Sequence, residues 1–178
     1  KIKINKNINL VVMINAKEFG EEKKNILNNV NKVFSEKKYS KIKMIRVAIN
    51  FDQFKKAKFL IQQLKIKKYK VGLNLMQSDN RSAEEYFLTA NEISNWKSVD
   101  ILYFADSLGI MTPKDIKFII QNLKKGWKGK LGIHAHNNKG LALANSLQAI
   151  KSNIDWVDST ILGMGRGAGN TCTKKLIN

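Results

Sequence analysis

An α/β fold built on a parallel sheet is the class this sequence predicts, and three observations predict it. Short Val- and Ile-rich segments recur along the 178 residues, each followed by a polar loop and then by a longer stretch with helical spacing of apolar residues. These segments are continuously apolar, so they leave no wet face, and a sheet buried on both faces is a parallel one covered by helices. The turn after the first segment, "VVMINAKEFG", lacks the glycine-rich phosphate loop that often opens a doubly wound sheet. A TIM-type (β/α)8 barrel is therefore favoured. Six segments are present where such a barrel has eight in about 250 residues, so the barrel is expected to be incomplete.

The first strand is expected over 8–15 (INLVVMIN) and the second over 44–50 (MIRVAIN). The third falls at 69–75 (YKVGLNL), the fourth at 99–105 (VDILYFA), the fifth at 130–136 (KLGIHAH) and the sixth at 154–162 (IDWVDSTIL). Helices fill the gaps. The clearest covers 113–125: Thr112 caps it, Pro113 suits its first position, and Asp115 complements the N-terminal dipole. Ile116, Ile119, Ile120 and Leu123 make its apolar stripe, and Gly126 is expected to stop it. No linker or low-complexity stretch interrupts the pattern, which predicts one domain over 1–178.

Composition excludes several classes. With 43% hydrophobic and 26% charged residues the chain can build a core, and disorder is excluded. Runs such as "INLVVMIN" fall well short of the ~20 residues of a membrane-spanning helix, and no basic-then-apolar leader opens the chain, so a cytoplasmic setting without a membrane partner is expected. The single cysteine, Cys172, cannot form an internal disulfide and reads as a bystander. The net charge of +18 comes almost wholly from lysine, since only Arg46, Arg81 and Arg166 are arginine. Those lysines are scattered, which describes a solvated surface that is sticky at low salt and has no specific nucleic-acid partner.

Both histidines fall in "LGIHAHNNKG", residues 131–140. Side chains alternate along a strand, so His134 and His136 point to one side and Ala135 to the other. They lie at the carboxyl end of their strand, where parallel α/β folds and barrels place their chemistry. Two neutral imidazoles there can hold a divalent metal and leave positions open for substrate. The next strand runs into "DSTILGMGRGAGNT", residues 158–171, with Asn170 near its end. Its glycines let backbone approach a ligand, and Arg166 can complete a phosphate cradle; the same glycines also suit a plain connecting turn. "FADSLGIMTP" brings Asp106 and Ser107 to the same rim, either for chemistry or to tie down turn amides.

Taken in order and spacing, "ADSLGIMTP", "GIHAHNNKGLALANSLQAI" and "VDSTILGMGRGAGNT" resemble the last three strands of the DRE-TIM metallolyases, the family with an HMG-CoA lyase-like or pyruvate carboxyltransferase domain. That family includes 3-hydroxy-3-methylglutaryl-CoA lyase, the isopropylmalate and homocitrate synthases, and 4-hydroxy-2-oxovalerate aldolase. The "GMGRGAGN" loop is most similar to the aldolase branch. The resemblance places the chain as strands three to eight of a metallolyase barrel, with two βα units, roughly 90 residues, expected upstream and a remainder downstream.

The resemblance implies that His134 and His136 are metal ligands and that Asn170 ligates the metal or lies beside it. Asn137, Asn138, Arg166 and Gly167 become substrate or supporting candidates, with Asp106 and Ser107 as catalytic ones. Mn²⁺ or Mg²⁺ is the implied cofactor, with Zn²⁺ or Co²⁺ as alternatives, because the expected set mixes oxygen and nitrogen. The family's first strand supplies an Arg-Asp pair and, in the aldolase branch, is followed by a histidine base. None of the three arginines here precedes Asp, and no third histidine is present.

The implied activity is a lyase: an aldolase that cleaves or forms a C–C bond of a 4-hydroxy-2-oxo acid through a metal-stabilised pyruvate enolate. The alternative enzyme is an acyl-CoA condensing synthase of the isopropylmalate or homocitrate type; the alternative outside catalysis is an inactive scaffold or basic binding fragment. Residues 1–178 alone are expected to turn over weakly. A small 2-oxo acid is the implied substrate, with a homo-oligomer or an aldehyde dehydrogenase as partner.

Overall fold

The computed structural model describes residue 5 and residues 7–178. Six strands, β1 (Leu10–Asn15), β2 (Ile42–Asn50), β3 (Lys70–Met76), β4 (Ile101–Asp106), β5 (Lys130–Ala135) and β6 (Trp156–Val157), form one sheet in chain order. Every neighbouring pair is parallel. The helices between them are α1 (Lys23–Val33), α2 (Ala57–Ile66), α3 (Ala83–Asn95), α4 (Pro113–Gly126) and α5 (Ala142–Lys151), and a short α6 (Thr173–Leu176) follows β6. No helix among the described residues is long and apolar enough to cross a membrane.

The sheet curls into part of a barrel. Arg46 on β2 touches Asp158, just past β6, with a shortest separation of 2.6 Å. Four strand spacings of about 4.8 Å would hold their backbones roughly 19 Å apart in a flat sheet.

Alternation divides the strand residues between two layers. Ile45, Val47 and Ile49, then Val71, Leu73 and Leu75, then Leu102 and Phe104, then Leu131 and Ile133 point outward into the main core, where α2 to α4 cover them. The opposite parity faces the concave side, where Met44, Ile101 and Tyr103 form a small second cluster. The outer layer holds the fold; the inner layer is free to be polar.

α4 shows how sequence sets an element. Thr112 and Asp115 form a reciprocal capping box with Pro113 in the first turn, and Ile116, Ile119, Ile120 and Leu123 are all buried. Gly126 does not stop the helix through a left-handed conformation, because its φ is not positive. A Cβ there would lie 2.5 Å from the Phe87 carbonyl oxygen and 2.6 Å from the Asn91 nitrogen, so glycine marks where α3 and α4 touch backbone to backbone. The helix ends because Trp127 turns extended, its indole N–H donating to the Lys130 carbonyl at 2.9 Å.

The sixth strand is shorter than the 154–162 its composition predicts. The Asp158 amide makes one more bond to the Ile133 carbonyl, and the chain then pairs with itself. The Thr160 amide donates to Thr171 and the Thr173 amide to Thr160, which turns 159–173 into a closed loop over the end of β5.

Candidate active site

Two glycines on the concave face make room for a buried arginine. A Cβ at Gly132 would sit 2.2 Å from the Tyr103 ring, so the tyrosine lies flat across β5. A Cβ at Gly72 would come within 3.0 Å of Arg46 Cγ. The Arg46 guanidinium stacks on the Tyr103 face, 3.7 Å from its centroid. Burial pushes the Tyr103 hydroxyl to about 12, so the ring stays a neutral platform.

From that platform Arg46 Nη1 donates to both oxygens of Asp158, at 2.8 and 2.6 Å, while Nη2 donates to Asn74 at 3.1 Å. The same Asp158 Oδ2 lies 2.8 Å from His134 Nδ1. Burial pushes the Asp158 carboxyl up, but the His134 ring and the Arg46 guanidinium outweigh it and hold the group below the usual carboxylate range. A carboxylate ordered in this way on one ring nitrogen leaves the other available to a ligand.

His136 follows the strand and bridges to Asn170, and its ring centroid lies 5.0 Å from that of His134. Burial, followed by the nearby His134 ring, holds His136 below the ordinary imidazole value, which favours its neutral, lone-pair-bearing form. The Asn137 amide donates to the Gly169 carbonyl and the Asn170 amide to the Gly163 carbonyl, each at 2.9 Å. Gly169 adopts φ +93°, and a Cβ there would meet the Gly163 carbonyl oxygen at 2.1 Å. Gly165 packs on the Asn170 amide, where a Cβ would come within 2.6 Å of Nδ2.

This packing buries Asn170 Oδ1 without a hydrogen-bond partner. A buried amide oxygen left unpaired costs stability of order 1–3 kcal/mol, which a bound ligand can repay. His134, Asp158, Ser159, Thr160 and Asn170 line an open cavity of about 390 Å³. Two imidazoles and an amide oxygen are donors of the types that can hold a divalent cation. Among the described residues no three His, Cys, Asp or Glu side chains converge, so any such site rests on the amide and lacks a free carboxylate.

Three other candidates, Asp106, Ser107 and Asn137, have their side-chain groups already engaged. The Asp106 carboxylate is fully buried and accepts the Ile110 amide at 3.0 Å and the Met111 amide at 3.3 and 3.4 Å. Burial raises its pKa, and these amides pull the other way. The Ser107 hydroxyl accepts the Gln77 amide at 2.9 Å, and Asn137 Oδ1 accepts the Ala142 amide at 3.1 Å. Gly109, at φ +63°, presses against Asn138, where a Cβ would stand 2.6 Å from its nitrogen. Asn138 Oδ1 is also the nearest atom to a Cβ built on Gly167, at 3.5 Å. The loops after β4, β5 and β6 are thus zipped together, with Arg166 exposed on the outermost one.

Arg46, Asn74, Tyr103 and Asp158 were not among the candidates drawn from sequence. Their signal was parity: each shares the inward face with His134, and glycines at 72 and 132 interrupt strands that otherwise favour large residues. A larger cavity, about 720 Å³, lies at the opposite, amino-terminal end of the strands, lined by Lys37, Lys43, Lys68, Lys70 and Lys130. Barrel enzymes place chemistry at the carboxyl end, where the histidines are.

Comparison with known proteins bears on family and fold. A family model described as HMGL-like matches residues 13–178. The 4-hydroxy-2-oxovalerate aldolase of Carboxydothermus hydrogenoformans is 46% identical over 78 residues, 44% of this chain and 23% of that one. Its counterpart from Thermus thermophilus is 40% identical over 97 residues, 54% of this chain and 28% of that one. The matched stretches therefore span under a third of these curated relatives. Among solved structures, the N-terminal domain of a candidate aldolase from Bacteroides vulgatus superposes with TM-score 0.79 at 31% identity, covering 96% of this chain and 55% of that one. The carboxyl transferase domain of Rhizobium etli pyruvate carboxylase, in a structure with pyruvate, gives 0.82 at 15% identity over 96% and 30%, a likeness of fold alone.

Proposed function

This chain belongs to the HMGL-like family, and from that premise we propose that it carries the cation-holding part of a metal-dependent aldolase acting on a 4-hydroxy-2-oxo acid. The observation that carries the reading is the grouping of His134, His136 and the unpartnered, buried Asn170 Oδ1 at the carboxyl end of the strands. The names of the curated relatives support the substrate class.

His134, His136 and Asn170 would hold Mn²⁺ or Mg²⁺, with Zn²⁺ or Co²⁺ as alternatives. Bound there, the cation supplies Lewis-acid stabilisation of the negative charge that develops on a 2-oxo acid's ketone oxygen. In the cleavage direction a base outside the residues described takes the C4 hydroxyl proton as the C3–C4 bond breaks; C4 becomes the aldehyde, the electron pair stays with C3, and C3 takes up a proton to leave as pyruvate. Asn138, Gly167 and Arg166 form the wall that faces substrate, with Arg166 as the cation for a carboxylate. Asp106 and Ser107 hold the β4 loop against that wall, their engaged groups setting its shape. With no free carboxylate in the donor set, this chain alone is expected to turn over little.

The test is pyruvate release from a 4-hydroxy-2-oxo acid by the protein extended to full barrel length, assayed with and without CoA after metal addition. Release without CoA supports the aldolase. Turnover that requires an acyl-CoA would replace it with the condensing synthase.

A further inference from the structure

We propose that Asp158, clamped by Arg46, is a positioning residue that fixes His134 as its Nδ1–H tautomer and so aims the Nε2 lone pair at the open cavity. The inference rests on the metal reading for its purpose but not for its geometry. A neutral imidazole has one donor and one acceptor nitrogen, and its hydrogen bond chooses which is which. Both Asp158 oxygens already accept from the Arg46 guanidinium, at 2.8 and 2.6 Å, so the group is a carboxylate that can only accept. With Oδ2 at 2.8 Å, Nδ1 must be the donor.

Asp158 could not do this unaided, because a lone carboxylate at the end of a two-residue strand has freedom to turn away. Arg46 removes that freedom. Its Nη1 spans both oxygens, its Nη2 is tied to Asn74, and its plane rests on Tyr103, which itself lies on Gly132. His134 is two residues beyond Gly132 on the same inward face, so one glycine both seats the platform and starts the ligand strand. The chain Gly132, Tyr103, Arg46, Asp158, His134 closes across four strands. No His134 Nε2 partner exists among the described residues, and the residue borders the cavity. A carboxylate behind a ligating histidine is how metal sites fix ring orientation, at a typical 10- to 100-fold in affinity.

The test reads the tautomer itself. The metal-free chain, labelled with ¹⁵N in its two histidines, is examined near pH 8 by long-range ¹H–¹⁵N correlation, with His136→Gln assigning the signals. Wild type is expected to show His134 protonated at Nδ1 with an unprotonated Nε2. The paired replacement Arg46→Met with Asp158→Leu removes acceptor and clamp without stranding a charge. It should release His134 into a mixture of tautomers and weaken Zn²⁺ binding by about 10- to 100-fold. His134 protonated at Nε2 in wild type, or a folded double variant that keeps Nδ1–H, overturns the proposal; if the double variant does not fold, the wild-type spectrum decides. An Nδ1–H tautomer in wild type with no saturable Zn²⁺ binding would uphold the positioning role and overturn the metal reading instead.

Discussion

Arg46 and His134 lie on strands three apart in the sheet, yet both are bound to one oxygen of Asp158, at 2.6 and 2.8 Å. Arg46 is nearly buried, its side chain retaining 10% of its exposure, so its charge depends on that carboxylate. Removing the carboxylate alone leaves a buried cation without its partner, whereas replacing both residues with apolar ones does not.

Asp158→Ala is therefore expected to lose about 3 kcal/mol of stability in urea denaturation, and Arg46→Met added to Asp158→Leu to lose clearly less than that. A loss under about 1 kcal/mol for Asp158→Ala would mean that the Tyr103 face and Asn74 suffice for Arg46.

The platform beneath Arg46 makes a separate prediction. Gly132→Ala puts a methyl group 2.2 Å from the Cε1 carbon of a fully packed ring, and Tyr103 has nowhere to move. It should cost about 1–3 kcal/mol, and less in a Tyr103→Leu background, so the two substitutions should couple. Strict additivity would show that the ring does not rest on Gly132.

How far these relationships could be read from sequence follows from what carries them. The strand and helix alternation was legible because each element's apolar period is local, and the His134–His136 pairing because strand alternation and position suffice. Asn170 was legible through the resemblance, but its unpartnered oxygen was not, since that depends on Gly165 packing against it. The Arg46–Asp158 pair joins residues 112 apart, so strand parity could set both on the inward face but not pair them. The sixth strand misled because "IDWVDSTIL" has good strand residues throughout, while the Thr160–Thr171 pairing that withdraws its second half is set by the loop.

Asn170→Ala should separate function from stability. Its side-chain oxygen has no protein partner and costs the metal-free fold stability, so the metal-free variant is expected to be at least as stable as wild type in urea, with cation affinity reduced at least several-fold. A large stability loss with unchanged affinity would make Asn170 a structural group.

Asp106 makes the pH prediction. Burial raises its carboxyl pKa in the folded state above the unfolded value, so ionisation costs the fold stability at neutral pH, and that cost disappears as pH falls through the raised value. Asp106→Asn keeps an acceptor for the Ile110 and Met111 amides and removes the titration. Its stability should lie within about 1 kcal/mol of wild type at pH 7, with wild type gaining on it as pH is lowered toward 4. The opposite slope would contradict the burial effect; turnover lost in this variant at full stability would make Asp106 catalytic rather than architectural.

The central claim is that His134, His136 and Asn170 together hold a divalent cation. Titrating the metal-free chain with Mn²⁺ while following the loss of the free-ion electron spin resonance signal tests it most directly. One saturable equivalent is expected, weakened at least tenfold by His134→Gln and by His136→Gln. Wild type that leaves the free Mn²⁺ signal undiminished, or histidine variants that bind as wild type does, would contradict it.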